Sequence, residues 1–209
     1  IKKVLINNAN FSIQKSDFKF LSTFIDKKIS KKKINIKNSN IFFKDDKNET
    51  VLITRISKSS LFFDKKNLLN KIILDGTLFK MPFIFTYNKN FNDRKDYFSL
   101  TSRKLKLEIL NESLNENEVI NGLNKILILN SQLITPYKSE ENIIIFQSQK
   151  STLNNSKIKY NGKLLFNPFD LILNLNVKKI SLKKLVDSQS YFFELLKSKL
   201  LFNENISAN

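Results

Sequence analysis

The chain has 209 residues, 41% of them apolar, which is enough to build a sizeable core, and it carries a formal net charge of +17. With no Cys and no His, it can form no disulfide, no thiolate or imidazole metal site, and no catalytic triad built on either group. The positive charge is nearly all Lys, spread among Asn, Ile and Phe with arginine only at Arg55, Arg94 and Arg103; AT-rich codons account for that mixture without an anionic partner. Dedicated phosphate sites recruit the planar Arg fork instead, which argues against nucleic acid as a partner.

Residues Lys3 to Ile13 alternate loosely, with Leu5, Ala9, Phe11 and Ile13 on one face, and predict a strand. From Ser16 the spacing changes: Phe18, Leu21, Ile25 and Ile29 recur at three and four, and Ser16 or Asp17 is placed to cap a short amphipathic helix. The run Lys27 to Lys33 reads as a solvated linker. Strands are then predicted over Ile34 to Phe43, Val51 to Lys58, Ser60 to Asp64, Lys71 to Phe79, Phe83 to Asn88, Tyr97 to Ser102 and Leu105 to Leu110. An Asn- and Glu-rich break at Asn111 to Glu118 precedes further strands over Lys125 to Thr135, Asn142 to Gln149, Lys157 to Phe166 and Leu171 to Lys179. A second helix is predicted around 187–202, with Asp187 or Ser188 as its cap. Three Gly and three Pro in the whole chain predict few tight turns and long uninterrupted elements.

One phrase occurs twice at the same spacing, Gly-x-Leu-x-x-x-Pro-Phe, with Gly76, Leu78, Pro82 and Phe83 in the first copy and Gly162, Leu164, Pro168 and Phe169 in the second. Each sits between alternating runs, so each predicts a long antiparallel hairpin, around 71–88 and 157–179. In the second copy Pro168 argues against a two-residue turn of the primed kind, which needs positive φ. A four-residue loop Asn167 to Asp170 fits a type I turn and pairs Phe166 with Leu171, Leu164 with Leu173 and Gly162 with Leu175. The first copy is expected to behave alike, with Ile72, Leu74 and Leu78 meeting Phe83, Phe85 and Tyr87 across Phe79 to Pro82. The mid-strand Gly on each apolar face marks a bend, a bulge or the close approach of a ligand.

Strands that are greasy on one face and rich in Lys and Asn on the other must cover the apolar face. Two sheets closed into a sandwich would do so, as would one strongly curved sheet whose concave face takes a hydrophobic ligand. No catalytic constellation stands out. Asp45-Asp46 and Glu140-Glu141 fall in turns, Asp93, Arg94 and Asp96 resemble a loop salt-bridge cluster, and Tyr97 and Tyr137 have no recognisable acid or base partner in the sequence, so no enzyme and no cofactor are expected.

The phrases Ile36 to Asp45, Asp75 to Phe83 and Phe166 to Val177, with the closing stretch Leu195 to Ala208, resemble AsmA-like proteins of AT-rich marine bacteria. The resemblance covers most of the chain and rests on β-repeat phrases. It implies a mostly β fold in which long antiparallel hairpins form a strongly curved, groove-like, taco-shaped sheet with one or two short helices. The chain would be a single extended region, 1–209, of a longer protein, consistent with its opening at Ile1 instead of Met. The implied function is passive phospholipid transport and outer-membrane homeostasis: the protein is periplasmic, is anchored in the inner membrane by an N-terminal helix that this chain lacks, and shields acyl chains in its groove. Candidate lining residues are Ile72, Leu74, Leu78, Phe83, Phe85, Tyr160, Leu164, Leu171, Leu173, Leu175 and Val177. The alternative is a structural or adhesive β-domain with a closed core and no ligand.

Overall fold

The computed structural model describes residues 3–14, 16–116, 118–166 and 169–177; of these, Phe18, Lys19, Phe169 and Val177 are described by backbone alone. The chain starts with β1 (Lys3–Asn7), β2 (Asn10–Gln14), α1 (Asp17–Asp26), β3 (Lys33–Lys44), β4 (Thr50–Asp64), β5 (Leu69–Leu78) and β6 (Met81–Asn90). It continues with β7 (Lys95–Ser102), β8 (Leu107–Glu116), β9 (Val119–Ile128), β10 (Ser131–Glu140), β11 (Ile143–Leu153), β12 (Ser156–Phe166) and β13 (Phe169–Val177). All thirteen strands belong to one curved sheet that does not close on itself. From β3 to β13 each strand pairs antiparallel with the next, while β1 and β2 both lie parallel to β3. The described strands therefore do not form two packed sheets. The second predicted helix, around 187–202, lies outside the described residues.

The predicted strand Lys3 to Ile13 is two strands, broken at Asn8, whose φ of 56° suits Asn better than most residues. The break reverses the alternation, so Ile6, not Leu5, shares a face with Phe11 and Ile13 through their partners on β3, and Leu5 is 62% exposed on the other side. Helix α1 forms as its spacing predicts, but Ser16 makes no side-chain cap bond. Asp17 Oδ2 instead accepts from the Gln14 backbone N–H at 2.8 Å, and Ile29 lies beyond the helix.

Scarcity of Gly does not mean scarcity of tight turns. Successive strands from β5 to β6 and from β8 to β13 are joined through two residues, and among the described turn residues positive φ is carried by Phe79, Lys80, Glu118, Leu129, Glu141, Asn154 and Asn155 instead of Gly. Phe79 and Lys80 have φ of 49° and 63°, and Asn154 and Asn155 have 47° and 64°, so both pairs form primed hairpin turns. The predicted strand Lys125 to Thr135 is in fact a hairpin folded at Leu129 (φ 50°), a turn written with no turn residue except Asn130. The Asn-rich break is also strand, because β8 runs through to Glu116. Val51 to Lys58 and Ser60 to Asp64 are one strand, β4, interrupted by a bulge.

Both copies of the repeated phrase form hairpins, β5–β6 and β12–β13, but in different registers. In the first, Leu78 pairs with Met81, Gly76 with Phe83 and Leu74 with Phe85, so the turn is Phe79-Lys80 and Pro82 lies inside the strand. In the second, Phe166 pairs with Phe169, Leu164 with Leu171 and Gly162 with Leu173, so the connection is two residues and not the predicted four. The error is a slip of two. A slip of two returns every side chain to the same face, so alternation alone does not detect it.

Candidate functional site: one face of the sheet

Cross-strand partners in a sheet project to the same side, so the registers assign every strand residue to a face. One row runs Leu74, Phe85, Leu100, Ile109, Ile126 and Leu133, each paired with the next across β5 to β10. At roughly 4.8 Å per strand this continuous apolar track is about 24 Å long. It exceeds the roughly 15 Å depth of one leaflet of a bilayer core. All of the candidate lining residues fall on this same face: Ile72, Leu74 and Leu78 on β5, Phe83 and Phe85 on β6, Tyr160 and Leu164 on β12, and Leu171, Leu173, Leu175 and Val177 on β13. The residues expected to line the face omit its central portion, from Phe98 to Phe146; for β9 and β10 the reason is that the expected strand Lys125 to Thr135 runs across the turn between them.

The same face holds most of the buried side chains: Ser39, Thr54, Ile56, Ser59, Phe63, Asn70, Ser102, Asn111, Ser131, Ser148, Ser151 and Ile158. Among the described residues every element except α1 belongs to this one sheet, so the face has no second sheet over it and is covered by α1 and the segment after it at one end alone. Asn70 and Phe63 are buried by α1 and the segment after it; the other buried positions on the face, most of them small, lie where the sheet curves on itself. Bulges supply the bend: one extra residue near Ser57 on β4, beside Asn38 (φ 47°) on β3, and another between Ser148 and Ser151 on β11. Towards the β13 edge the face opens, and Leu171, Leu173 and Leu175 are 52, 51 and 53% exposed.

All three glycines lie on this face directly opposite an aromatic: Gly76 pairs with Phe83, Gly122 with Tyr137 and Gly162 with Phe146. An added Cβ would meet the Arg55 carbonyl oxygen at residue 76, the Tyr137 ring at residue 122, and the Ile172 carbonyl oxygen and Phe146 ring at residue 162. Of the expected causes, close approach of the protein's own backbone and rings is what the structure contains, with a bulge on β4 opposite Gly76 in addition.

A polar seam borders the apolar track. Asn111 Nδ2 donates to the Tyr137 hydroxyl at 3.0 Å and Tyr137 returns a bond to Asn111 Oδ1 at 3.2 Å. Thr135 and Tyr160 share a hydroxyl bond of 2.5 Å, and Ser148 and Ser151 share another. Tyr160, a candidate lining residue, thus has its hydroxyl tied into the sheet and offers its ring to the face, against Phe146 at 6.4 Å.

At the other end the C-terminal part of α1 is fastened over the face. Asn70, fully buried, donates from Nδ2 to the carbonyls of Ile25 (2.9 Å) and Lys27 (2.8 Å) and accepts at Oδ1 from the Ile29 N–H (3.0 Å). These bonds satisfy carbonyls that a helix end leaves open. Beside it Lys89 Nζ lies 2.8 Å from Asp26 Oδ1 and 3.4 Å from Asp96 Oδ2. Burial lowers the pKa of Lys89, but the hydrogen bond to Asp26 and the nearby Asp96 outweigh it and the net shift is upward. Burial pushes the Asp96 carboxyl up despite Lys89, and burial followed by the charge of Asp96 pushes the Tyr87 phenol well up. Asp96 thus pairs with Lys89 instead of Arg94, while Asp93 accepts from Asn90 and Asn92. Asp45 holds its own turn, taking the N–H groups of Lys47 and Glu49.

A depression of about 620 Å³ lies between β10 and β13, and none of the candidate lining residues borders it. Most of its walls, among them Lys138, Gln147, Asn161, Lys163 and Asn174, belong to the opposite, polar face. Among the described residues no helix is long and apolar enough to cross a membrane. Compared with known proteins, the chain matches no family model, no curated protein and no solved structure.

Proposed function

We propose that this chain is a segment of an AsmA-like envelope protein, and that the apolar face of its curved sheet is a groove that shields phospholipid acyl chains between the inner and outer membranes. The observation that carries this reading is an apolar track across six successive strands, with no second sheet packed over it among the described residues and α1 lying over one end alone. A protein that buried this face for stability alone would be expected to pack another element on it. Acyl chains transfer onto such a surface with roughly 25 cal/mol gained per Å² of apolar area buried, and they slide along it because no contact is directional. Headgroups stay in water at the open side. The protein acts passively, without catalysis or cofactor. In the full-length protein an N-terminal helix would hold it to the inner membrane and place the sheet in the periplasm.

The test uses protein purified from a bacterial lysate that contains membranes, washed in high salt to release lipid held only by Lys, then extracted and analysed by mass spectrometry. Phospholipid retained at a fixed ratio to protein, and lost in Leu173→Arg but not in Ile172→Arg on the opposite face, is the expected result. Both positions lie on β13 at comparable exposure, 51% and 42%, so they differ in face and little else. Absence of retained lipid in a monomeric, cooperatively unfolding protein overturns the reading and favours a structural or adhesive domain.

A further inference from the structure

The outward side of α1 carries a feature that the sheet does not need. Phe20 and Phe24, one helical turn apart, are 68% and 37% exposed and their rings stack on each other at 6.3 Å with 23° between planes. The inward side is served by Leu21 and Ile25, which are half-buried. Directly after the helix come Lys27, Lys28, Lys31, Lys32 and Lys33, all exposed. Of these, Lys28 lies over the Phe63 and Phe91 rings at 5.3 and 6.0 Å, and Lys33 over Phe62 at 5.3 Å. The acidic residue at the end of the helix, Asp26, is neutralised by Lys89. The platform is fixed, because Asn70 holds the Ile25 and Lys27 carbonyls.

We propose that the Phe20–Phe24 side of α1, together with the basic run that follows it, is a docking surface for an anionic lipid bilayer, and that it seats the β1–β3 end of the sheet on that membrane. Exposed aromatic rings on an amphipathic helix enter the boundary between headgroups and acyl chains, and adjoining lysines add an attraction to anionic lipid that salt screens. The positive charge selects the occupant: an uncharged apolar partner would leave the lysines with nothing to complement, whereas an anionic bilayer satisfies rings and ammonium groups together. The proposal does not depend on the sheet face carrying acyl chains.

The chain contains no Trp, so Phe20→Trp places a single reporter on the surface. Leu129→Trp, at a turn that is 55% exposed, is the matched control. Each is mixed with vesicles of phosphatidylcholine and phosphatidylglycerol in equal parts, or of phosphatidylcholine alone, and both Trp emission and co-sedimentation are read. The expected result is a blue shift of the Phe20→Trp emission with the anionic vesicles only, reversed by salt, and none for Leu129→Trp. Phe24→Ser, and separately Lys31→Glu with Lys32→Glu, should weaken co-sedimentation by roughly tenfold with the urea midpoint unchanged. Co-sedimentation without a shift at residue 20 means that the general positive charge binds the vesicle, and it overturns the proposal. So do an equal shift at residue 129 and the absence of any vesicle binding. Lipid retention in the groove assay is unaffected by these outcomes, so the two readings fail separately.

Discussion

Tyr137 on β10 stands directly opposite Gly122 on β9, and its ring fills the space that a side chain at residue 122 would occupy. From there the hydroxyl reaches over to the next strand and exchanges two hydrogen bonds with Asn111 on β8, which is only 8% exposed. Gly122→Ala must push the ring aside and break that exchange. The expected loss is about 2–3 kcal/mol, from overpacking and an unpaired buried amide together. Urea denaturation should show a lower midpoint with an unchanged slope, and adding Tyr137→Ser should recover part of the loss by removing the obstructing ring.

The turn Phe79-Lys80 holds two ordinary residues at positive φ. Each costs about 1–2 kcal/mol relative to a residue suited to that conformation, a cost that the pairing of β5 with β6 offsets. Replacing the pair by Asn-Gly, the preferred sequence for this turn, should stabilise the protein by about 1–2 kcal/mol, read as an increase in the denaturation midpoint. No gain would mean that the exposed Phe79 ring contributes packing of its own.

Asn70 joins α1 to the sheet. Asn70→Ala removes its bonds to Ile25, Lys27 and Ile29 and strands two helix carbonyls and one N–H in a buried place, with an expected loss of about 2–4 kcal/mol. Hydrogen exchange should localise the effect, with α1 losing protection while β7 to β12 keep theirs. Uniform loss along the chain would show that α1 and the sheet unfold as one unit.

Alkaline pH should destabilise the fold through Tyr87 and Lys89. Both folded pKa values are raised above their ordinary values of 10.0 and 10.5, so the folded state holds their protons more tightly than the unfolded chain does. Their contribution is therefore complete below about pH 10 and is lost as pH rises through the folded values. Tyr87→Phe should flatten the decline in denaturation midpoint above that pH. A phenolate absorbance titration should show one tyrosine fewer ionising while the protein remains folded.

Much of the candidate face was legible because strand alternation has a period of two. Ile72, Leu74 and Leu78, or Leu171, Leu173 and Leu175, share a side whatever the register, provided that it shifts by an even number. The same property hid the register of both hairpins, where Leu164 meets Leu171 and not Leu173. The hairpin at Leu129 was hidden for another reason. Ile126, Leu127, Ile128 and Leu129 have no local preference for turning, and pairing of Ile128 with Ser131 imposes the turn from outside. Likewise Gly122 carried no local signal of its role, since the ring that requires it sits on the neighbouring strand.

Spacing within a few residues is enough to show that the described chain is mostly strand, where its first helix lies, and which side of most strands is apolar. The tertiary structure decided that the strands form a single open sheet, which residues face one another, where bulges bend it, and how Asn70 fastens α1 at one end. Those outcomes depend on partners brought together from distant parts of the chain, and their cross-strand packing selects one register among several that the alternation allows equally.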